Sequence, residues 1–186
     1  MAAFATSGDL AAFLEDDGLN LATAELVLTA VSDEIRDALG WSVTQQAAVV
    51  ETVDGPGTAD LLLPTLHLTA VASVVEDGKT LAYPADYLWY ERGKLTRMSG
   101  GEPIAWTGKR QGVVITHTHG YPDGAVPGVF RTVTLETAGR LAGNPGGLLK
   151  SRTVGRVAVA YADVRAAAAG VGDDPRLDFY RLPEGF

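Results

Sequence analysis

The chain has 186 residues, 46% hydrophobic and 20% charged, with a formal net charge of -8 and no cysteine. That length suffices to bury roughly 70% of the surface its unfolded form exposes, and the composition is globular rather than disordered. The missing cysteines exclude a disulfide framework, a thiolate metal site and a cysteine nucleophile, and the acidic balance argues against a phosphate-gripping surface, which needs Lys and Arg.

No basic segment followed by an apolar one opens the sequence, and uncharged runs are broken by Gly, Pro and polar residues before they could span a bilayer. A soluble, non-secreted protein is expected. Ser7 is placed to cap a short helix through Leu14, with Asp9 in its first turn and Gly18 as its end. The second helix is the strongest periodic signal. Ala24, Val27, Leu28, Val31, Ile35, Ala38 and Leu39 recur at helical spacing, Glu25, Ser32, Asp33, Arg36 and Asp37 fall mostly on other faces, and Gly40 closes it.

From Gln45 the period changes to that of strands. Candidates run over 47–53, 61–63, 68–75, 86–91, 95–98, 102–106 and 112–118, with Asp77-Gly78 as a hairpin turn. They predict an antiparallel subdomain of roughly five to seven short strands. Gly120, Pro122, Asp123 and Gly124 then end the last strand. Pro127 opens a third helix marked by Val126, Phe130, Val133 and Leu141, which stops at 143–147. Val154 to Tyr161 alternates like a strand or extended arm, 166–172 reads as a small-residue linker, and Arg176 to Leu182 as one or two helical turns. The sum is an α+β protein, a small helical core of three to four helices with an inserted antiparallel β subdomain and an extended C-terminal arm. Residues 1–44 hold the N-terminal helices, 45–118 the insert, 119–147 the third core helix, and 148–186 the arm and C-terminal segment.

Chemistry-bearing patterns are sparse. His117 and His119 would share one face of a strand, as a metal-dependent hydrolase or cupin-like β protein would need, but no spacing supplies the third ligand. A structural pair is the better reading. The glycine-rich stretches 99–101 and 144–147 lack the Lys-Ser/Thr ending of a phosphate loop. Asp16-Asp17 and Asp173-Asp174 read as solvated helix ends, and Tyr87, Trp89 and Trp106 as sheet packing before a carbohydrate platform. No catalytic, cofactor or metal residue is assigned, and no enzyme is expected.

The order of segments nonetheless carries a resemblance. S-G-D-L-A-A-F-L, then A-T-A-E-L-V-L-T-A-V-S-D-E-I-R-D-A-L-G-W, Leu63-Pro64, L-T-A-V-A-S-V-V-E-D-G, D-Y-L-W, G-K-L-T-R, V-V-I-T-H-T-H-G-Y and V-P before a helix follow one another across nearly the whole chain. S-R-T-V-G-R-V-A-V-A-Y-A-D and L-D-F-Y-R follow. This order resembles the head-to-tail connector, or adaptor, family of long-tailed bacteriophages. The resemblance implies a virion neck protein, present in the host cytoplasm during assembly. It further implies a homo-oligomeric ring, a dodecamer on the portal, that would contact the portal protein and a stopper or tail-completion protein, with DNA passing through without sequence-specific binding and with neither membrane nor cofactor expected. On this chain it implies portal docking by Leu177, Phe179, Tyr180 and Arg181, and an inter-subunit arm carrying Val154, Arg156, Val157, Val159 and Tyr161.

Overall fold

A computed structural model describes residues 2–142 and 170–183, and the backbone alone of 151–154 and 157–160. The chain divides into two units, Met1–Leu39 with Pro127–Arg181, and Gly40–Val126 with Leu182–Phe186. Among the described residues, three α-helices, one 3₁₀ turn and antiparallel sheets make it an α+β fold with a small helical core and a β subdomain, as expected.

The helical unit begins with α1, Ser7–Leu14, capped by Thr6 rather than Ser7. Asp9 N donates to Thr6 Oγ1 at 3.1 Å while Thr6 N donates to Asp9 Oδ2 at 2.9 Å, a reciprocal box. Ser7 could not close one, because its third helical residue would be the apolar Leu10. The helix stops at Glu15 in the left-handed region (φ 52°), before the expected Gly18. In α2, Leu21–Leu39, Asn20 Oδ1 accepts from Thr23 N at 3.0 Å and so fixes the start. α3 runs Gly128–Ala142, one residue after the expected start, with the Pro127 carbonyl accepting from Phe130 N at 3.1 Å.

Leu10, Ala24, Leu28, Leu135 and Ala138 form the buried contact of the three helices, joined by Ala5. Two expectations fail here. Ser32 and Arg36 are buried, because the N-terminal segment lies over that side of α2. Phe4 N donates to Ser32 Oγ at 3.0 Å, Ser32 Oγ donates to the Leu28 carbonyl at 2.7 Å, and the Arg36 guanidinium covers the Phe4 ring at 4.4 Å while donating to the Ala2 carbonyl. On α3, Thr134 and Thr137 are buried, whereas Leu141 is half-buried.

The single extended strand expected over 154–161 is instead an antiparallel hairpin. β9, Ser151–Val154, pairs with β10, Val157–Ala160, and Val154 stands opposite Val157. Gly143–Gly147 and the 166–169 part of the expected linker lie outside the described residues.

Among its described residues the second unit holds eight strands, one more than the seven segments marked in the sequence. They are β1 (Gln46–Val53), β2 (Asp60–Leu62), β3 (Leu68–Glu76), β4 (Lys79–Leu81), β5 (Tyr87–Trp89), β6 (Lys94–Ser99), β7 (Glu102–Pro103) and β8 (Val113–His119). β4 is three residues long, too short for alternation to show, and stops at Leu81. β7 ends at Pro103, which lacks a ladder N–H, and not at Trp106. One sheet orders β1-β8-β3-β4 and the other β2-β6-β5, with β7 on β6. Leu68, Val74, Val113 and Ile115 of the first meet Leu61, Tyr87 and Leu95 of the second in one core with Trp106. The Asp77-Gly78 turn places both residues at positive φ (50° and 80°), as a two-residue hairpin of the favoured hand requires.

A buried ion pair crosses between the sheets. Arg97 Nε of β6 donates to Glu76 Oε2 of β3 at 2.7 Å, Thr107 N donates to Glu76 Oε1 at 2.7 Å, and Arg97 Nη1 reaches the Asp86 and Met98 carbonyls, each at 2.7 Å. Beyond β8, Gly120 N donates to the His67 carbonyl at 2.8 Å, and Tyr121 exchanges backbone bonds with Val43 (2.7 Å) and Gln45 (2.9 Å).

Candidate functional site

The best-defined candidate surface is the C-terminal turn. Asp174 caps it by accepting from Arg176 N at 2.9 Å, Pro175 sits at its first position, and the 3₁₀ turn covers Pro175–Tyr180. In a 3₁₀ helix residues three apart eclipse, so Leu177 and Tyr180 share one side. Leu177 is fully buried, and Tyr180 meets the edge of the Phe130 ring at 4.9 Å. Phe130 in turn stacks on Phe4 at 5.2 Å, and Phe179 stands edge-on to Tyr180 at 5.3 Å with 69% of its surface exposed. An aromatic chain thus runs from Phe4 through Phe130 and Tyr180 to Phe179.

Arg176 holds this turn on α3. Its guanidinium donates to both Glu136 oxygens (3.2 and 2.7 Å) and to both Asp174 oxygens (closest 2.6 Å), a double fork that pulls both carboxyls below their ordinary range. Arg181 donates to the Gly172 carbonyl and stands 3.8 Å from Asp178. Gly172 is packed so closely that a Cβ there would lie 2.6 Å from the Ala38 Cβ. Of the four residues assigned to docking, the structure therefore uses Leu177, Tyr180 and Arg181 within the unit and presents Phe179. Phe4 and Glu136 were not singled out, and Phe130 and Arg176 were read only as helix positions, although Asp174-Pro175 is a legible start signal.

Of the arm residues, Val154 lies on β9, Val157 and Val159 lie on β10, and Arg156 and Tyr161 lie outside the described residues. The register of the hairpin puts Arg152, Val154, Val157 and Val159 on one face and Ser151, Thr153, Ala158 and Ala160 on the other. It has no third strand among the described residues.

The other candidates resolve as packing. His117 and His119 continue the inward face of β8, 1% and 8% exposed, with rings 5.2 Å apart. His117 Nε2 is 3.2 Å from Glu51 Oε2, and burial, then the neighbouring His117, pushes the His119 pKa down. No group of three His, Asp or Glu side chains able to hold a metal occurs among the described residues. Tyr87 and Trp106 are each 2% exposed, which removes the exposed carbohydrate platform. Asp16 Oδ1 accepts from Gly18 N at 2.9 Å, an ordinary helix-end turn. No described helix is long and apolar enough to cross a membrane.

No protein-family model and no curated protein matches the sequence. Among solved structures, the chain is similar to one in the neck of a native gene transfer agent particle in C12 symmetry (17% identity, TM-score 0.46), covering 100% of this chain and 96% of that one. Another lies in the neck of an empty particle in C6 symmetry (17%, TM-score 0.47), covering 97% and 90%. A third lies in the virion of the native particle (17%, TM-score 0.48), covering 100% and 96%.

Proposed function

We propose that the chain is a non-enzymatic structural component of a virion neck. It is an adaptor whose identical copies form a ring beneath the portal, join it to a stopper or tail component and surround the path of the DNA. The observation that carries this reading is the order of elements along the chain. A helical unit is interrupted after Leu39 by a β unit, resumes with Pro127, and continues into a hairpin and an aromatic C-terminal turn. That is the order of segments on which the sequence resemblance rests.

The parts divide by what each can offer a neighbour. A two-stranded hairpin is marginal in water without something to cover it, which suits an arm that leaves its own subunit. Phe179 suits an anchor in a portal pocket, because Tyr180, Phe130 and the Arg176 forks hold its turn rigid and little ordering entropy remains to be lost. A net charge of -8 suits a conduit that DNA traverses without sticking.

Electron microscopy of the chain mixed with the portal protein of its own particle tests the role. A ring of copies capping the portal is expected. An uncapped portal at saturating concentrations of the chain refutes it. Phe179→Ala should weaken capture and leave the helical circular dichroism unchanged. Truncation from Asp173 is a poorer probe, since it also removes the buried Leu177 and the Arg176 forks.

A further inference from the structure

The outer face of α2 exposes two large apolar side chains. Leu26 is 74% exposed and Leu21 54% exposed, and a shallow groove lined by Ala22, Glu25, Leu26, Thr29, Ala30 and Asp33 runs along it. Apolar positions 22, 26 and 30 repeat every four residues, so they form one stripe along the groove. Acidic side chains border it. Asp33 is half-exposed although Arg36 donates to it at 2.8 Å, and Glu25 accepts from the Ser7 hydroxyl at 3.4 Å.

We propose that this groove receives the β9–β10 hairpin of a second copy of the chain. The proposal rests on the reading of the hairpin as an inter-subunit arm and names the surface it grips. Charge is the first argument. Residues 1–44 contain eight acidic residues and one basic, Arg36, whose guanidinium is occupied by Asp33 and the Ala2 carbonyl. Residues 143–169 contain Lys150, Arg152, Arg156 and Arg165 against the single Asp163, a basic segment in an acidic chain. Like charge keeps the copies apart elsewhere, so attraction concentrates where arm meets helix.

Shape is the second argument. The hairpin face on which Val154, Val157 and Val159 lie with Arg152 offers apolar positions beside a cation, the complement of an apolar groove beside carboxylates. A four-residue strand is about 13 Å long. The groove from position 22 to 33 extends about 17 Å, so the hairpin lies along it without overhang.

Because the chain has no cysteine, disulfide trapping reports the contact without background. The full-length single variants Leu26→Cys and Val157→Cys are mixed at high concentration and oxidised. The mixed dimer should outrun both homodimers and a mixture of Leu26→Cys with Thr153→Cys, whose position is on the other hairpin face. Adding Glu25→Lys to the Leu26→Cys partner should cut the yield by up to about fivefold, as should high salt. A mixed dimer no more abundant than the homodimers overturns the proposal. So does a Leu26→Cys/Val157→Cys double variant that closes within one chain where the mixture stays silent.

Sedimentation of a variant lacking residues 151–160 separates this claim from the one beneath it. Association lost on that deletion, without a Leu26–Val157 cross-link, overturns the groove and keeps the arm. Association unchanged by the deletion overturns both.

Discussion

Removing Glu76 tests how the two sheets of the β unit are held together. Glu76 and Arg97 are 13% and 11% exposed, so solvent screens their attraction only weakly. Glu76→Ala removes two 2.7 Å bonds, one from the charged Arg97 and one from Thr107 N. Arg97 keeps the Asp86 and Met98 carbonyls as acceptors, so its charge is left without a counter-ion but not without hydrogen bonds. One charge-assisted bond at ~2 kcal/mol and one buried amide left unpaired at ~1 kcal/mol place the loss near 3 kcal/mol. Arg97→Met should cost about as much, since it leaves Glu76 with Thr107 N alone and takes the guanidinium from the Met98 carbonyl, while the Asp86 carbonyl keeps Met98 N at 2.8 Å. In the double variant neither charge is stranded. Its cost should fall below the sum of the singles by about 2 kcal/mol, within the range for groups in direct contact. Trp41, Trp89 and Trp106 all lie in this unit, so tryptophan fluorescence in a urea titration reads its unfolding. A Glu76→Ala loss under about 1 kcal/mol, or strictly additive singles, would refute the reasoning.

Thr6→Ala should destabilise the helical unit by about 1 kcal/mol by opening the capping box, while Ser7→Ala should change little. Thermal melts followed by helical circular dichroism compare the two. Gly120→Ala should cost the β unit several kcal/mol or prevent its folding: φ is +85°, and an ideal Cβ would lie 2.5 Å from the carbonyl oxygen of Thr44, whose neighbours Val43 and Gln45 are both tied to the Tyr121 backbone. Acid should weaken the two units in different windows. The Arg131 side chain and the Thr6 amide lower Asp9 from 3.8 to about 2, so the unfolded chain takes up that proton first and the stabilisation is present above pH 3.8 and lost toward pH 2. Glu136 and Asp174, lowered by Arg176, act in the same direction below their ordinary values. His119 is depressed from 6.5 by burial and by His117, with Glu51 opposing, so stability of the β unit is full above pH 6.5 and declines below it. Urea midpoints by fluorescence should therefore fall between pH 7 and 5, and His119→Asn should flatten that slope. An unchanged midpoint in the parent protein refutes the assignment.

What the sequence could disclose follows from how local each determinant is. The α2 face was legible because Ala24, Leu28, Val31, Ile35 and Leu39 carry their own period, and the β3–β4 turn because Asp77-Gly78 needs nothing beyond itself. Burial of Ser32 and Arg36 was not, since it depends on Phe4 and Ala2, about 30 residues away, returning over the helix. β9 was hidden by Ser151 and Arg152, and only pairing with β10 makes a strand of them. The C-terminal turn separates the two cases most clearly. Composition marks Leu177, Phe179 and Tyr180 alike as apolar, yet the three-residue period of the 3₁₀ turn commits Leu177 and Tyr180 to the helices and leaves Phe179 outward. A search for binding residues by hydrophobicity alone will therefore return the anchor together with its supports. The two separate experimentally: replacing a support should lower stability and capture together, whereas replacing Phe179 should lower capture alone.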